Sequence, residues 1–164
     1  MQEIRTHVDI AAGAALVWSV LTDFSRYSSW NPTIRGVEGP FERGGTIRIA
    51  ERLALAKPGK TPKHDQPTTT RTTGTLRHIR EPRQLTWFSQ WRLGWMLGSE
   101  RRFSIESLPG GGVRFHQDER IAGVMLPFVW RRLLREREPA FERMNRALKI
   151  RAERAAAGAP QTVS

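Results

Sequence analysis

The chain has no cysteine and no long apolar run among its 164 residues. Without cysteine there is no disulfide framework and no thiolate metal site, as is usual in a reducing compartment. A membrane-spanning helix needs about 20 consecutive apolar residues, and no stretch of the sequence approaches that length. Residues 1–10 alternate polar and apolar side chains, which predicts a strand and not a signal peptide. These absences predict a soluble, cytoplasmic protein.

Acidic residues are also few. The sequence has 16 Asp and Glu against 27 Lys and Arg, which gives a net charge of +11. This charge predicts either an acidic partner, such as nucleic acid or an anionic membrane, or a basic surface that only water solvates. The basic residues are nearly all arginine and are spread along the chain. Such a spread indicates a partner less strongly than a continuous stripe does.

The motifs of several catalytic classes are missing. The sequence contains no G-x-S-x-G elbow, no P-loop and no dinucleotide-binding fingerprint. The four histidines have no metal-ligand spacing and no carboxylate cluster beside them; they are His7, His64, His78 and His116. The sequence therefore predicts neither a metal site nor a cofactor.

Hydrophobic periodicity predicts an α+β protein. Ile4 and Val8 lie on one face of an alternating first strand, and residues 14–32 form two short helical segments that stop at Pro32. Good turn signals separate six further strands, at residues 33–38, 46–53, 72–80, 84–93, 100–108 and 113–121. The short links predict an antiparallel meander. Residues 54–70, rich in Pro, Lys and Thr, predict a mobile loop.

The helical period returns near residue 125 and continues to about residue 157. One face carries Leu126, Trp130, Leu133, Phe141, Met144 and Leu148. Pro139 lies inside this pattern, so we expect a kink or a break near Arg137. The outer face is rich in arginine, and it is either a solvated surface or a surface that binds RNA or an anionic membrane. Residues 1–157 are predicted to form a single domain, followed by a flexible tail at residues 158–164.

The order of elements and several short motifs resemble the SRPBCC superfamily, which includes START lipid-binding domains, pollen-allergen-like proteins and polyketide cyclases or aromatases. The matching pieces are Val17-Trp18, Asp23-Phe24, Trp30-Asn31-Pro32, Leu85-Thr86-Trp87, Glu119-Arg120-Ile121-Ala122-Gly123 and Phe141-x-x-Met144-Asn145-x-x-Leu148-Lys149. The resemblance implies a helix-grip fold. In this fold a curved antiparallel sheet of about seven strands wraps around the long C-terminal helix, two short helices follow the first strand, and a cavity lies between sheet and helix.

Strand alternation then predicts which residues face the cavity. If the last hairpin closes over residues 108–112, Arg101 and Glu119 pair across two strands on an otherwise apolar face. They either orient a polar group of a ligand or form a structural salt bridge, and a register shifted by one residue would turn both to solvent. The predicted ligand-binding residues are Trp30, Ile49, Glu51, Trp87, Trp91, Trp95, Arg101, Phe103, Phe115, Gln117 and Glu119.

Three functions remain open on this basis. The aromatic residues either line a pocket or simply form core. A lined pocket would bind a small hydrophobic or amphipathic molecule, such as a lipid, a polyketide or a quinone-like compound. An enzyme of the cyclase or aromatase type would use the same pocket, with Arg101 and Glu119 as catalytic candidates. Its base would be Glu119 or Glu51, with a pKa raised by burial. The third possibility is an interaction module whose basic surface binds RNA or an anionic membrane.

Overall fold

A single antiparallel sheet dominates the structure, a computed structural model that describes residues 1–52, 69–90 and 96–158. Its strands are β1 (Gln2–Ile10), β2 (Ile34–Glu38), β3 (Thr46–Glu51), β4 (Thr70–Arg80), β5 (Gln84–Gln90), β6 (Gly98–Ser107) and β7 (Val113–Ala122). They lie in the order β1-β7-β6-β5-β4-β3-β2. The predicted meander from β2 to β7 is confirmed, and β1 pairs with the last strand to form the second edge.

The strand boundaries differ slightly from the prediction. Strand β4 begins at Thr70 and β6 at Gly98, each two residues earlier than the turn signals indicated. Strand β3 ends at Glu51. Three predicted segments lie largely or partly outside the described residues, which omit 53–68, 91–95 and 159–164. They are the mobile loop at residues 54–70, the end of the strand at residues 84–93 and the tail at residues 158–164.

Three helices and one 3-10 turn complete the described part of the chain. They are α1 (Ala14–Thr22), the 3-10 turn (Phe24–Arg26), α2 (Tyr27–Trp30) and α3 (Leu126–Gly158). The hydroxyl of Tyr27 donates to the carbonyl of Leu21, which joins α2 to α1. The side-chain oxygen of Asn31 accepts from the backbone N–H groups of Thr33 and Ile34, at 2.9 and 2.8 Å. This turn ends the helical segment and leads into β2.

Helix α3 runs without a break from Leu126 to Gly158, so of the predicted kink or break near Arg137 the break is wrong. Pro139 is exposed and lacks the N–H that would donate to the carbonyl of Arg135. The residues around it compensate for this loss, because Ala140 and Phe141 are fully buried and Thr33 Oγ1 donates to the carbonyl of Ala140 at 2.9 Å. No helix among the described residues has the length and apolar character to cross a membrane.

The core consists of two apolar clusters with a polar layer between them. The larger cluster includes Ile10, Phe103, Phe115 and Met144, and the smaller one is Ile4, Leu97, Ile121, Leu126, Leu133 and Phe141. Between them, the inward positions of β1, β6 and β7 carry polar residues. These residues are Thr6, Ser99, Arg101, Gln117 and Glu119. The sheet therefore wraps an interior that is apolar at both ends and polar in the middle.

Candidate ligand site

The hairpin of β6 and β7 has the predicted register. Arg101 pairs with Glu119 and Phe103 pairs with Gln117. Arg101 is 2% exposed and Glu119 is 1% exposed, so both side chains point into the interior between the sheet and α3. The alternative in which a shifted register turns this pair to solvent is therefore wrong.

Arg101 and Glu119 belong to a larger group of four alternating charges, which we call the ionic cluster. It consists of Glu51 on β3, Arg101 on β6, Glu119 on β7 and Arg137 on α3. Arg101 Nη1 donates to Glu51 Oε1, and Arg101 Nη2 lies 3.5 Å from Glu119 Oε1. Arg137 Nη1 donates to both carboxylate oxygens of Glu119. Two carboxylates and two guanidinium groups give the cluster no net charge.

Aromatic rings restrict Arg101 further. Its guanidinium carbon lies 4.7 Å from the ring centroid of Phe141 and 5.9 Å from that of Trp87. A guanidinium at these distances from a ring gains a favourable cation–π interaction. Helix α3 thus contacts Arg101 through Phe141 and contacts Glu119 through Arg137. The ionic cluster therefore links helix and sheet.

The charge state of Glu119 follows from these contacts. Burial favours the neutral acid, but the guanidinium groups of Arg137 and Arg101 outweigh burial and lower the pKa of Glu119 below its usual range. Glu51 and Glu119 likewise raise the pKa of Arg101 despite its burial. The expectation that burial raises the pKa of Glu119 is therefore wrong.

A second polar group lies beside the ionic cluster, two residues away along β7. Asn145 Nδ2 donates to Thr6 Oγ1 at 2.9 Å, and Thr6 Oγ1 donates to the backbone carbonyl of Gln117 at 3.1 Å. Gln117 is fully buried, yet neither Oε1 nor Nε2 of its amide has a hydrogen-bond partner among the described residues. Buried polar atoms without a partner are rare in proteins. This amide offers a donor and an acceptor to an incoming polar group.

Eight of the eleven predicted ligand-binding residues are buried. They are Ile49, Glu51, Trp87, Arg101, Phe103, Phe115, Gln117 and Glu119. The free space beside the ionic cluster is about 10 Å³ and is also lined by Thr72, Ser89 and Ser99. A space of this size holds a single water molecule at most. The structure brings the predicted residues together around closely packed side chains.

The remaining three predicted residues are not part of this group. Trp30 is half-buried, and its ring meets Tyr27 edge-on at 5.1 Å. It lines a surface groove of about 350 Å³ between α1 and α3, together with Arg26 and Arg151. Trp91 and Trp95 lie outside the described residues.

Comparison with known proteins places the chain in a family. The family described as "Polyketide cyclase / dehydrase and lipid transport" matches residues 1–156. The chain belongs to this family. The resemblance to the SRPBCC superfamily that the sequence motifs indicated is thereby confirmed.

Several solved structures have the same fold as this member of the family. The ZhuI aromatase/cyclase from Streptomyces sp. R1128 is 20% identical, with a TM-score of 0.70 over 96% of this chain and 98% of that chain. A START superfamily protein from Mycobacterium smegmatis is 21% identical, with a TM-score of 0.63 over 93% and 98% of the two chains. At such identities the likeness shows the helix-grip fold alone. No curated protein matches the sequence.

Arg137 was not among the site residues predicted for this family member. It lies four residues after Leu133 and four before Phe141, on the buried stripe of α3. A charged residue on the apolar face of a helix is the same signal that singled out Arg101 and Glu119 on their strands. Applied to α3, this signal identifies Arg137 without the structure.

The lowered pKa of Glu119 predicts how stability depends on pH. The ionised carboxylate stabilises the fold fully above about pH 4.5, the ordinary value for glutamate, and this contribution is lost as pH falls through the lower pKa of the folded state. We expect the unfolding free energies of the native protein and Glu119→Gln to converge below pH 4.5, by at most about 1.4 kcal/mol per pH unit. Urea unfolding between neutral and acidic pH measures this difference. The control is Glu138→Gln, which removes an exposed glutamate from α3. A difference for Glu119→Gln that grows on acidification would contradict the assignment.

Proposed function

We propose that this protein binds a small, uncharged, hydrophobic or amphipathic molecule between the sheet and α3, with the polar group of the ligand at the polar layer. The observation that carries the proposal is the fully buried amide of Gln117, whose donor and acceptor have no partner among the described residues. It lies between apolar clusters that suit the rest of such a ligand. The family and the helix-grip fold support a binding role.

The ionic cluster favours an uncharged ligand. Each of its four ions already contacts an ion of opposite sign. A charged ligand would have to displace one of these partners, and leaving a buried ion uncompensated costs about 3–5 kcal/mol. An uncharged group with both a donor and an acceptor needs no such displacement, because the Gln117 amide meets it directly.

Binding requires side chains to move, because the free space of about 10 Å³ is far smaller than a ligand pocket of roughly 300 Å³ or more. Hydrogen bonds tie the C-terminal half of α3 to β1 and the residue after it: Asn145 to Thr6, Lys149 to Asp9, and Glu153 to the N–H of Ala11. The N-terminal half of α3 contacts the sheet through the smaller apolar cluster and Arg137. In our proposal the apolar side chains of this half yield to the ligand, while Arg137 keeps its contact with Glu119.

The same contacts argue against Glu119 as the base of a cyclase. Both of its carboxylate oxygens accept from Arg137, and its pKa lies below the usual range. A general base that works near neutral pH needs a pKa close to that pH. Binding is therefore the function that these residues support best.

Competition between two ligands with the same alkyl chain tests the proposal. The neutral probe N-phenyl-1-naphthylamine is bound first, and its fluorescence reports displacement by decanamide or decanoate. We expect decanamide to displace the probe at a concentration at least tenfold lower, since tenfold in affinity needs only about 1.4 kcal/mol. In Gln117→Leu, decanamide loses most of this advantage. Failure of the probe to bind, or displacement by decanoate at the lower concentration, would overturn the proposal.

A further inference from the structure

The junction between β7 and α3 presents apolar side chains to solvent. Phe128 is 81% exposed and Val124 is 58% exposed, and Pro127 between them is exposed as well. Gly123 makes the junction possible, because its φ of +144° brings the chain so close to Met96 that a Cβ would meet the Met96 carbonyl oxygen. We call Val124, Pro127 and Phe128 the apolar tip.

Arginines follow the apolar tip along one face of α3. Arg131, Arg132 and Arg135 lie three, four and seven residues after Phe128, which places all four side chains on the same side of the helix. All three arginines are exposed. Arg132 also donates to Glu136 at 3.0 Å, one turn further along. The opposite side carries the buried residues Leu126, Leu133 and Arg137.

We infer that the apolar tip and the arginines behind it dock the protein on an anionic lipid surface. Protruding apolar side chains at the end of a basic helix face are the arrangement that inserts shallowly at the headgroup boundary while its cations contact lipid phosphates. The net charge of +11 attracts the protein to such a surface as a whole. This docking goes beyond the proposed ligand binding and does not depend on it, because the apolar tip lies outside the interior site.

The charges distinguish this occupant from two others. A second copy of the chain on a twofold axis would bring Arg131 and Arg135 of one copy near those of the other, and like charges repel. A nucleic acid would match the arginines but has no apolar surface for the aliphatic Val124 and Pro127. A lipid surface satisfies both features, because it is anionic at the headgroups and apolar just beneath them.

Co-sedimentation of the full chain with vesicles tests the inference. We expect binding to vesicles of phosphatidylcholine mixed with phosphatidylglycerol, little binding to phosphatidylcholine alone, and loss of binding in high salt. Phe128→Ser should weaken binding roughly tenfold, because an aromatic side chain is withdrawn from the apolar boundary. Arg131→Gln and Arg135→Gln should each weaken it roughly fivefold.

The same helix offers matched controls far from the apolar tip. Ile150 is 44% exposed against 81% for Phe128, so Ile150→Ser removes an exposed apolar side chain from another part of the helix. Arg143→Gln and Arg146→Gln remove exposed charges three residues apart. These variants should bind the vesicles as the native protein does. Equal losses in both sets would mean that only overall charge or hydrophobicity matters, and would overturn the inference.

Two other outcomes would also overturn it. One is the absence of binding to anionic vesicles. The other is a dimer in sedimentation velocity that Phe128→Ser dissociates, which would assign the apolar tip to a second copy of the chain. Neither result bears on the interior site, since displacement of N-phenyl-1-naphthylamine is measured without vesicles.

Discussion

Arg101→Met is expected to lower the free energy of unfolding by about 3–5 kcal/mol, the usual cost of removing one partner from a buried ion pair. Arg101 is the only member of the ionic cluster that contacts both Glu51 and Glu119 through contacts found among the described residues. Its replacement leaves Glu51 without the cation it contacts and leaves Glu119 with Arg137 alone. Methionine approximates the length of the arginine stem, so the packing that is lost is confined to the contacts of the guanidinium with Phe141 and Trp87. Urea unfolding at neutral pH measures the change.

The adjacent residue provides the control. Arg102 lies on the same strand, but its side chain points to the outer face, where it donates to Asp118 at 2.8 Å. A partly exposed ion pair of this kind contributes less than about 1 kcal/mol. Arg102→Met should therefore change the unfolding free energy much less than Arg101→Met. Equal effects of the two substitutions would show that the ionic cluster does not stabilise the fold.

Phe141→Ala is expected to destabilise the protein by about 3–5 kcal/mol and, at the same time, to strengthen binding of N-phenyl-1-naphthylamine. The ring is fully buried in the smaller apolar cluster and lies 4.7 Å from the guanidinium carbon of Arg101. Its removal forfeits both contacts and leaves a cavity. An apolar cavity of that kind takes up apolar ligands. Thermal or urea unfolding gives the first effect, and fluorescence titration of the probe gives the second.

The matched control for this prediction lies on the same helix. Phe128→Ala removes the same side chain from a position that is almost fully exposed. Surface substitutions usually change stability by no more than about 0.5 kcal/mol. We expect this variant to leave both stability and probe binding unchanged. Weaker probe binding in Phe141→Ala than in Phe128→Ala would contradict an interior site.

The inward residues could be predicted because strand alternation has a period of two and a short hairpin determines which residues pair. That logic placed Arg101 opposite Glu119 and put Gln117 on the same face. It could not pair Glu51 with Arg101. These residues are 50 positions apart on strands that are not neighbours, and only the curvature of the sheet brings them into contact. The alternation of side chains along a strand shows which residues face the interior, but it does not show which of them meet across it.

The direction of the pKa shift of Glu119 was wrongly predicted for a related reason. If only the sheet is considered, burial raises the pKa of Glu119 and a single arginine, Arg101, lowers it. The deciding cation, Arg137, comes from α3, and contacts between helix and sheet do not follow from strand patterns. Trp30 is a second residue whose surroundings could not be predicted from the sequence. Its position at the end of a helical segment did not determine whether it faces the interior or the groove beside α1.

The most direct test of the interior site is a nuclear Overhauser measurement between bound N-phenyl-1-naphthylamine and the protein. If the ligand binds between sheet and helix, the probe protons show contacts with Trp87, Phe103 and Phe141, which surround the polar layer. Contacts with Trp30 and Ala155 instead would place the probe in the surface groove between α1 and α3, and would contradict a binding site inside the grip.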